Sequence, residues 1–221
     1  MQKFDTPAPI TAVLDVPAGR IQLIAADRAN TTVEVLPADA AKDRDVTAAR
    51  QTTVEYADGV LRVTTPLKPQ ILGASGTVEV SIQLPSGSRL KAKAAAAELR
   101  GVGRLGEVSY DGSQAEIKLD EVAGAHLATS AGSVAIGRLT GPAYVTTMQG
   151  DIRIAEAVRG ALELRTQDGD ITIGAAAGVS ATLDAGTSMG RIRNALTNTG
   201  GTADLEIQAT TTRGDIDARS L

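Results

Sequence analysis

The 221-residue chain has no cysteine and no tryptophan, a single histidine, and only 2% aromatic residues, namely Phe4, Tyr56, Tyr110 and Tyr144. Without cysteine there are no disulfides, thiolate metal sites or cysteine nucleophiles, a composition that fits a reducing compartment. So few aromatics leave little to stack on bases or to form the platforms of sugar-binding clefts. Basic residues number 22 against 26 acidic ones, for a net charge of -4, and they form no block. Nucleic-acid binding through phosphate neutralisation is therefore disfavoured. No apolar run approaches the roughly 20 residues of a spanning helix, which argues against a membrane partner. The opening MQKFDTPAPITAVLDVPAG holds charges and prolines where a signal peptide would hold an apolar segment, which predicts a cytoplasmic location.

What the chain does have is a repeat. From about Leu90 a short alternating segment, a turn ending in glycine or a small residue, a polar residue and a β-branched residue return again and again. The clear copies are LATSAGSVAI (127–136), VTTMQGDIRI (145–154) and LRTQDGDITI (164–173), with looser ones in AGTSMGRIR (185–193) and TTTRGDIDA (210–218). Their turn glycines, Gly132, Gly150, Gly169, Gly190 and Gly214, are spaced by 18, 19, 21 and 24 residues. Ala97 and Ala115 hold the same place upstream, at steps of 18 and 17, which makes seven copies. Apolar period 2, as in Leu162, Leu164, Ile171 and Ile173, reads as strand. A constant phase and nearly constant length let equivalent residues stack in register at about 4.8 Å per rung, the mark of a solenoid rather than a row of hairpins.

The expected fold is all-β, a parallel β-helix (β-solenoid) with rungs of about 17–24 residues, forming one domain over residues 1–221. Residues 89–221 carry the regular repeats, and residues 1–88 are less regular, with GRIQL (Gly19–Leu23) shaped like an early rung or cap. Residues 37–50 and 66–76 read as excursions, the first with a short helix. KAKAAAAEL (Lys91–Leu99) has helical composition, but its place in the repeat predicts strand. The long steps of 21 and 24 are assigned to an insertion at Asn194–Thr202, leaving GDIDARSL as an uncovered last rung. That end is expected to be blunted by Asp215, Asp217 and Arg219 or used in an end-to-end homodimer.

The repeats TMQGDIRI and TQDGDITI, with the opening LDVPAGRIQLIA, resemble a bacterial adhesin-like β-strand-repeat family of unknown function. The resemblance spans essentially the whole chain and implies a β-solenoid, with adhesion as analogy only.

Stacking the copies sets residues into columns. One holds Glu98, Glu116, Ser133, Asp151, Asp170, Arg191 and Asp215, an acidic ladder that could hold a divalent cation. Solvated charge is the expectation instead, because Glu116-Ile117-Lys118 and Asp151-Ile152-Arg153 put each carboxylate beside a cation. A second column holds Ser109, His126, Tyr144 and Glu163, a trio-forming set capable of proton transfer. It faces outward, opposite Leu127, Val145 and Leu164, where exposed polar residues are expected in any case. GVGRLG (Gly101–Gly106) has GxGxxG spacing but lies inside a β repeat, so it reads as a corner. No catalytic, cofactor-binding or metal-ligating residue is assigned, and no cofactor is expected. The predicted function is a non-catalytic scaffold for protein–protein interaction or self-association, with a carbohydrate-active β-helix enzyme or an extracellular adhesin as alternatives. Loops of three to five residues leave few walls for a cleft. An acid-lined cleft would favour the enzyme, and a smooth rod with a paired edge the scaffold.

Overall fold

The computed structural model describes residues 1–66, 76–200 and 202–221. The excursion expected at 66–76 thus falls almost wholly outside the described residues. Elsewhere the chain winds as a parallel β-solenoid in which each rung gives one strand to each of two facing layers. The two longest strands, β8 (Arg89–Gln114) and β9 (Ile117–Ala128), round the corner and belong to both layers, so the 18 strands of the described residues form one continuous sheet. β8 is long enough to come back beside its own start, with the Gly106 N–H donating at 2.8 Å to the carbonyl of Ser88, the residue just before the strand. KAKAAAAEL lies within β8, its side chains alternating out and in, because neighbouring rungs satisfy its backbone and override helix propensity.

Next come the strands β10 (Val134–Leu139), β11 (Ala143–Thr146), β12 (Ile152–Ala157), β13 (Gly160–Arg165) and β14 (Ile171–Ala175). These stack in sequence order, with Ile152 between Val134 and Ile171 and Tyr144 between His126 and Glu163. Sequence order then fails. The last rung, β17 (Leu205–Arg213) and β18 (Ile216–Ser220), pairs with β13 and β14 on one side. On its other side it pairs with β15 (Ala181–Met189) and β16 (Ile192–Ala195). GDIDARSL is therefore not an uncovered end. It fills a slot between two rungs, and β15 and β16 form the end of the stack. The long steps of 21 and 24 residues find their reason here: the chain passes over an empty slot and then doubles back into it.

The other end is shuffled in the same way. β2 (Thr11–Asp15) and β3 (Ala18–Ala26) lie between β8 and an outer rung of β6 (Val60–Thr64) and β7 (Val78–Pro85). GRIQL is thus a rung, with Gly19 in register with Ala97. Beyond it the sheet turns antiparallel: β4 (Asn30–Pro37) pairs with β7, β1 (Gln2–Asp5) with β4, and β5 (Thr53–Ala57) with β6. The short helix α1 (Asp43–Gln51) falls in the first excursion and packs on β4 and β7. Its Asp45 carboxylate, 2% exposed, accepts the Thr77 N–H at 2.9 Å.

Aliphatic ladders fill the interior. One column runs Val80, Ile21, Leu99, Ile117, Val134, Ile152, Ile171, Ile216 and Ile192. All are at most 1% exposed except the last, Ile192, at 46%. Each buried Ile, Leu or Val contributes about 1.5–3 kcal/mol relative to exposure. In the other layer Tyr110 is fully buried, with its hydroxyl 3.3 Å from the Ala97 carbonyl. Burial, and secondarily the charge of Asp111, pushes its phenol up to about 12. The folded state then holds a proton that the unfolded state releases near pH 10, so stability falls from about pH 10 to about pH 12. Urea unfolding across that range is expected to show the fall, and Tyr110→Phe to abolish most of it; an unchanged slope in the variant would assign the loss to other groups.

Candidate functional site

The corner between the layers is built from a T-x-x-G unit in five rungs: Thr129–Gly132, Thr147–Gly150, Thr166–Gly169, Thr187–Gly190 and Thr211–Gly214. Each threonine hydroxyl after the first donates to the turn-glycine carbonyl of the rung beneath. Thr166 reaches Gly150, Thr211 reaches Gly169, and Thr187 reaches Gly214, all at 3.0 Å; Thr147 reaches Gly132 at 3.4 Å. Sequence reasoning singled out the glycines and overlooked the threonines, although the invariant three-residue offset was visible.

The acidic column after the glycines has a structural task. The Asp170 N–H donates to Asp151 Oδ1 at 2.9 Å, the Asp215 N–H to Asp170 Oδ1 at 2.7 Å, and the Arg191 N–H to Asp215 Oδ1 at 2.8 Å. Each carboxylate thus satisfies a backbone donor of the next rung, and the ladder order is Asp151, Asp170, Asp215, Arg191. Glu116 pairs with Lys118 at 2.6 Å, as expected. Asp151 forms no ion pair with Arg153 among the described residues, because its oxygen is committed to the Asp170 amide.

Ser109, His126, Tyr144 and Glu163 do share a column, and it continues through Gln208 to Asp184. The His126 and Tyr144 rings stack at a 5.0 Å centroid distance and 17°. Glu163 does not complete a relay with them, since it pairs with Arg165 at 2.6 Å. The column forms one wall of a groove of about 1200 Å³. Short loops led to the expectation of few cleft walls, but the hollow needs no loops. Its floor is the neighbouring column, where Gly124, Pro142 and Ala161 on successive rungs carry small side chains or none. Arg89, Arg104, Glu107 and Glu121 line one end, and Glu163, Glu206 and Asp184 the other.

An acid-lined groove revives the glycosidase alternative, which requires a carboxyl kept protonated by burial as general acid. In the groove Glu206 and Asp184 are exposed, and Glu163 pairs with Arg165.

The two ends of the stack differ. At one, Phe4 of β1 and Tyr56 of β5 meet at 5.4 Å and close the interior. At the other, β15 and β16 have a strand partner on one side only among the described residues. Met189 and Ile192 there are 67% and 46% exposed, and Leu183, Ala185 and Leu196 are only partly buried.

These features define the class as a β-solenoid repeat protein with rungs held by T-x-x-G corners. The chain belongs to the Toastrack DUF4097 family, whose model matches residues 13–220. No curated protein matches the chain. Among solved structures it is similar to a "putative adhesin" from Bacteroides fragilis, at 11% identity over 98% of this chain and 95% of that one, with a TM-score of 0.59. It is also similar to a "putative adhesin" from Parabacteroides distasonis, at 12% identity over 98% and 95%, with a TM-score of 0.48. A "putative cell adhesion protein" from Clostridium sporogenes matches at 11% identity over 100% and 98%, with a TM-score of 0.45. At such identities the Bacteroides likeness speaks for the fold alone. A Toastrack scaffold of this kind fits a non-catalytic binding role.

Proposed function

We propose that the protein is a non-catalytic binding scaffold whose open β15–β16 end pairs with the same end of a second copy. The difference between the ends carries this reading. A free parallel edge offers a row of unpaired N–H and C=O groups to any strand that can reach it, and here it ends an aliphatic interior as well. The opposite end finishes in two short antiparallel strands sealed by Phe4 and Tyr56. Open end cannot stack on closed end, so association stops at a closed twofold dimer rather than growing into a fibre.

Light scattering over a concentration series is expected to approach twice the chain mass of 22.6 kDa. Met189→Lys with Ile192→Lys places charge on the mating surface and returns the protein to monomer. A wild-type monomer at high concentration rules out self-association and leaves a heterologous partner at that end.

A further inference from the structure

We propose that the groove beside the His126–Tyr144 stack binds an extended, lysine- or arginine-bearing segment of another polypeptide. In-register parallel strands bring side chains into columns, where neighbouring like charges destabilise. Two outward columns answer this by alternation. Arg104, Glu121, Arg138 and Glu156 follow one another on adjacent rungs, with Arg138 and Glu156 3.2 Å apart. Arg20 likewise lies between Glu79 and Glu98, at 3.5 and 3.0 Å.

The carboxylates of the groove have no such cationic neighbours. Glu163, Glu206 and Asp184 fall on three adjacent rungs. Glu163 is opposite Tyr144 and Gln208, Glu206 is opposite Ala161 and Thr182, and Asp184 is opposite Gln208. No lysine or arginine faces any of them across the rungs. Glu206 and Asp184 have no ion-pair partner among the described residues, and Glu163 has only Arg165 of its own strand. The missing cations are the charge complement that an occupant would bring.

Shape narrows the occupant. The trough runs along the solenoid axis from the rung of Arg89 to that of Thr182, six steps of about 4.8 Å, or room for about nine residues of extended chain. A glycan would want an aromatic face to lie on. His126 and Tyr144 each spend one ring face on the other. A divalent cation would want converging oxygens, and no group of three or more acidic or histidine side chains gathers closely enough among the described residues. Nucleic acid has the wrong sign. The site uses outward side chains rather than the open backbone edge, so it stands independently of the dimer proposed above.

The test is fluorescence anisotropy with labelled nona-lysine at low salt, set beside nona-glutamate and a neutral gluco-oligosaccharide. Nona-lysine alone is expected to bind, more weakly as salt rises. The variant E163Q/D184N/E206Q is expected to lose affinity by about tenfold or more. An equal change of net charge far from the groove, D27N/E55Q/D58N, is expected to keep it. Circular dichroism confirms that both variants stay folded. Absence of nona-lysine binding, equal loss in the distant variant, or binding of the oligosaccharide in its place overturns the proposal. Because Asp184 lies on β15, the oligomeric state is followed by light scattering with E163Q/E206Q, which is expected to leave it unmoved and so separates failure here from failure of the dimer.

Discussion

Gly150→Ala is expected to destabilise the protein by about 3–5 kcal/mol, combining backbone strain with a clash that cannot relax. Gly150 has φ +142°, a conformation that L side chains rarely adopt. A Cβ there would lie 2.3 Å from the Gly132 carbonyl oxygen and 2.6 Å from its carbon. Both are backbone atoms of the rung beneath, held by their own ladder, and the same tight contact recurs one rung up, where Gly169 sits over Gly150. A shift at one corner is therefore passed to its neighbours instead of being absorbed locally. Urea unfolding measures the loss, and Gln149→Ala in the same turn, exposed and without a Cβ conflict, should stay within about 0.5 kcal/mol of the parent. A Gly150→Ala protein within about 1 kcal/mol of the parent would mean that the corner opens easily and that stacked glycines do not hold the rungs at their close spacing.

Ending the chain after Asp204 is expected to unfold the C-terminal half rather than trim it. Residues 205–221 form a rung with neighbours on both sides, so their removal strips β15 and β16 of their ladder and opens β13 and β14. Leu205, Ile207 and Ile216 are each at most 2% exposed, and at about 1.5–3 kcal/mol apiece their loss alone is about 5–9 kcal/mol. That compares with the whole stability of an ordinary domain, about 5–15 kcal/mol. Hydrogen exchange on the full chain should place Ile207 and Ile216 among the slowest amides, with β15 and β16 exchanging faster. A truncated protein that keeps its fold, with β13 and β14 still protected, would contradict the inserted position of the last rung.

Much of this architecture was legible from local pattern. Period-2 alternation with glycine at a constant phase marked the rungs, placed KAKAAAAEL in a strand against its composition, and brought His126, Tyr144 and Glu163 into one column. The acidic column was legible as a column but not in its purpose. Whether Asp151 turns to Arg153 or to the Asp170 amide depends on where the next rung's N–H lies, which no single copy contains. The groove was missed because it arises from what a column lacks. Gly124, Pro142 and Ala161 look unremarkable one at a time, and they become a trough only when stacked beside Tyr144 and Glu163.

The amino-acid sequence alone determined the rung: its length, its two strands, its T-x-x-G corner and the alternation that sends Ile152 and Ile154 inward and Arg153 outward. Those features depend on residues a few positions apart, so local sterics and hydrophobic period settle them. Only the tertiary structure decided the order of the rungs and which end stays open. Rungs built alike present alike edges, so nothing local sets residues 205–220 between β13–β14 and β15–β16 rather than after them. The choice lies in burial summed over the whole stack, which encloses both terminal rungs and leaves Met189 and Ile192 at the open end.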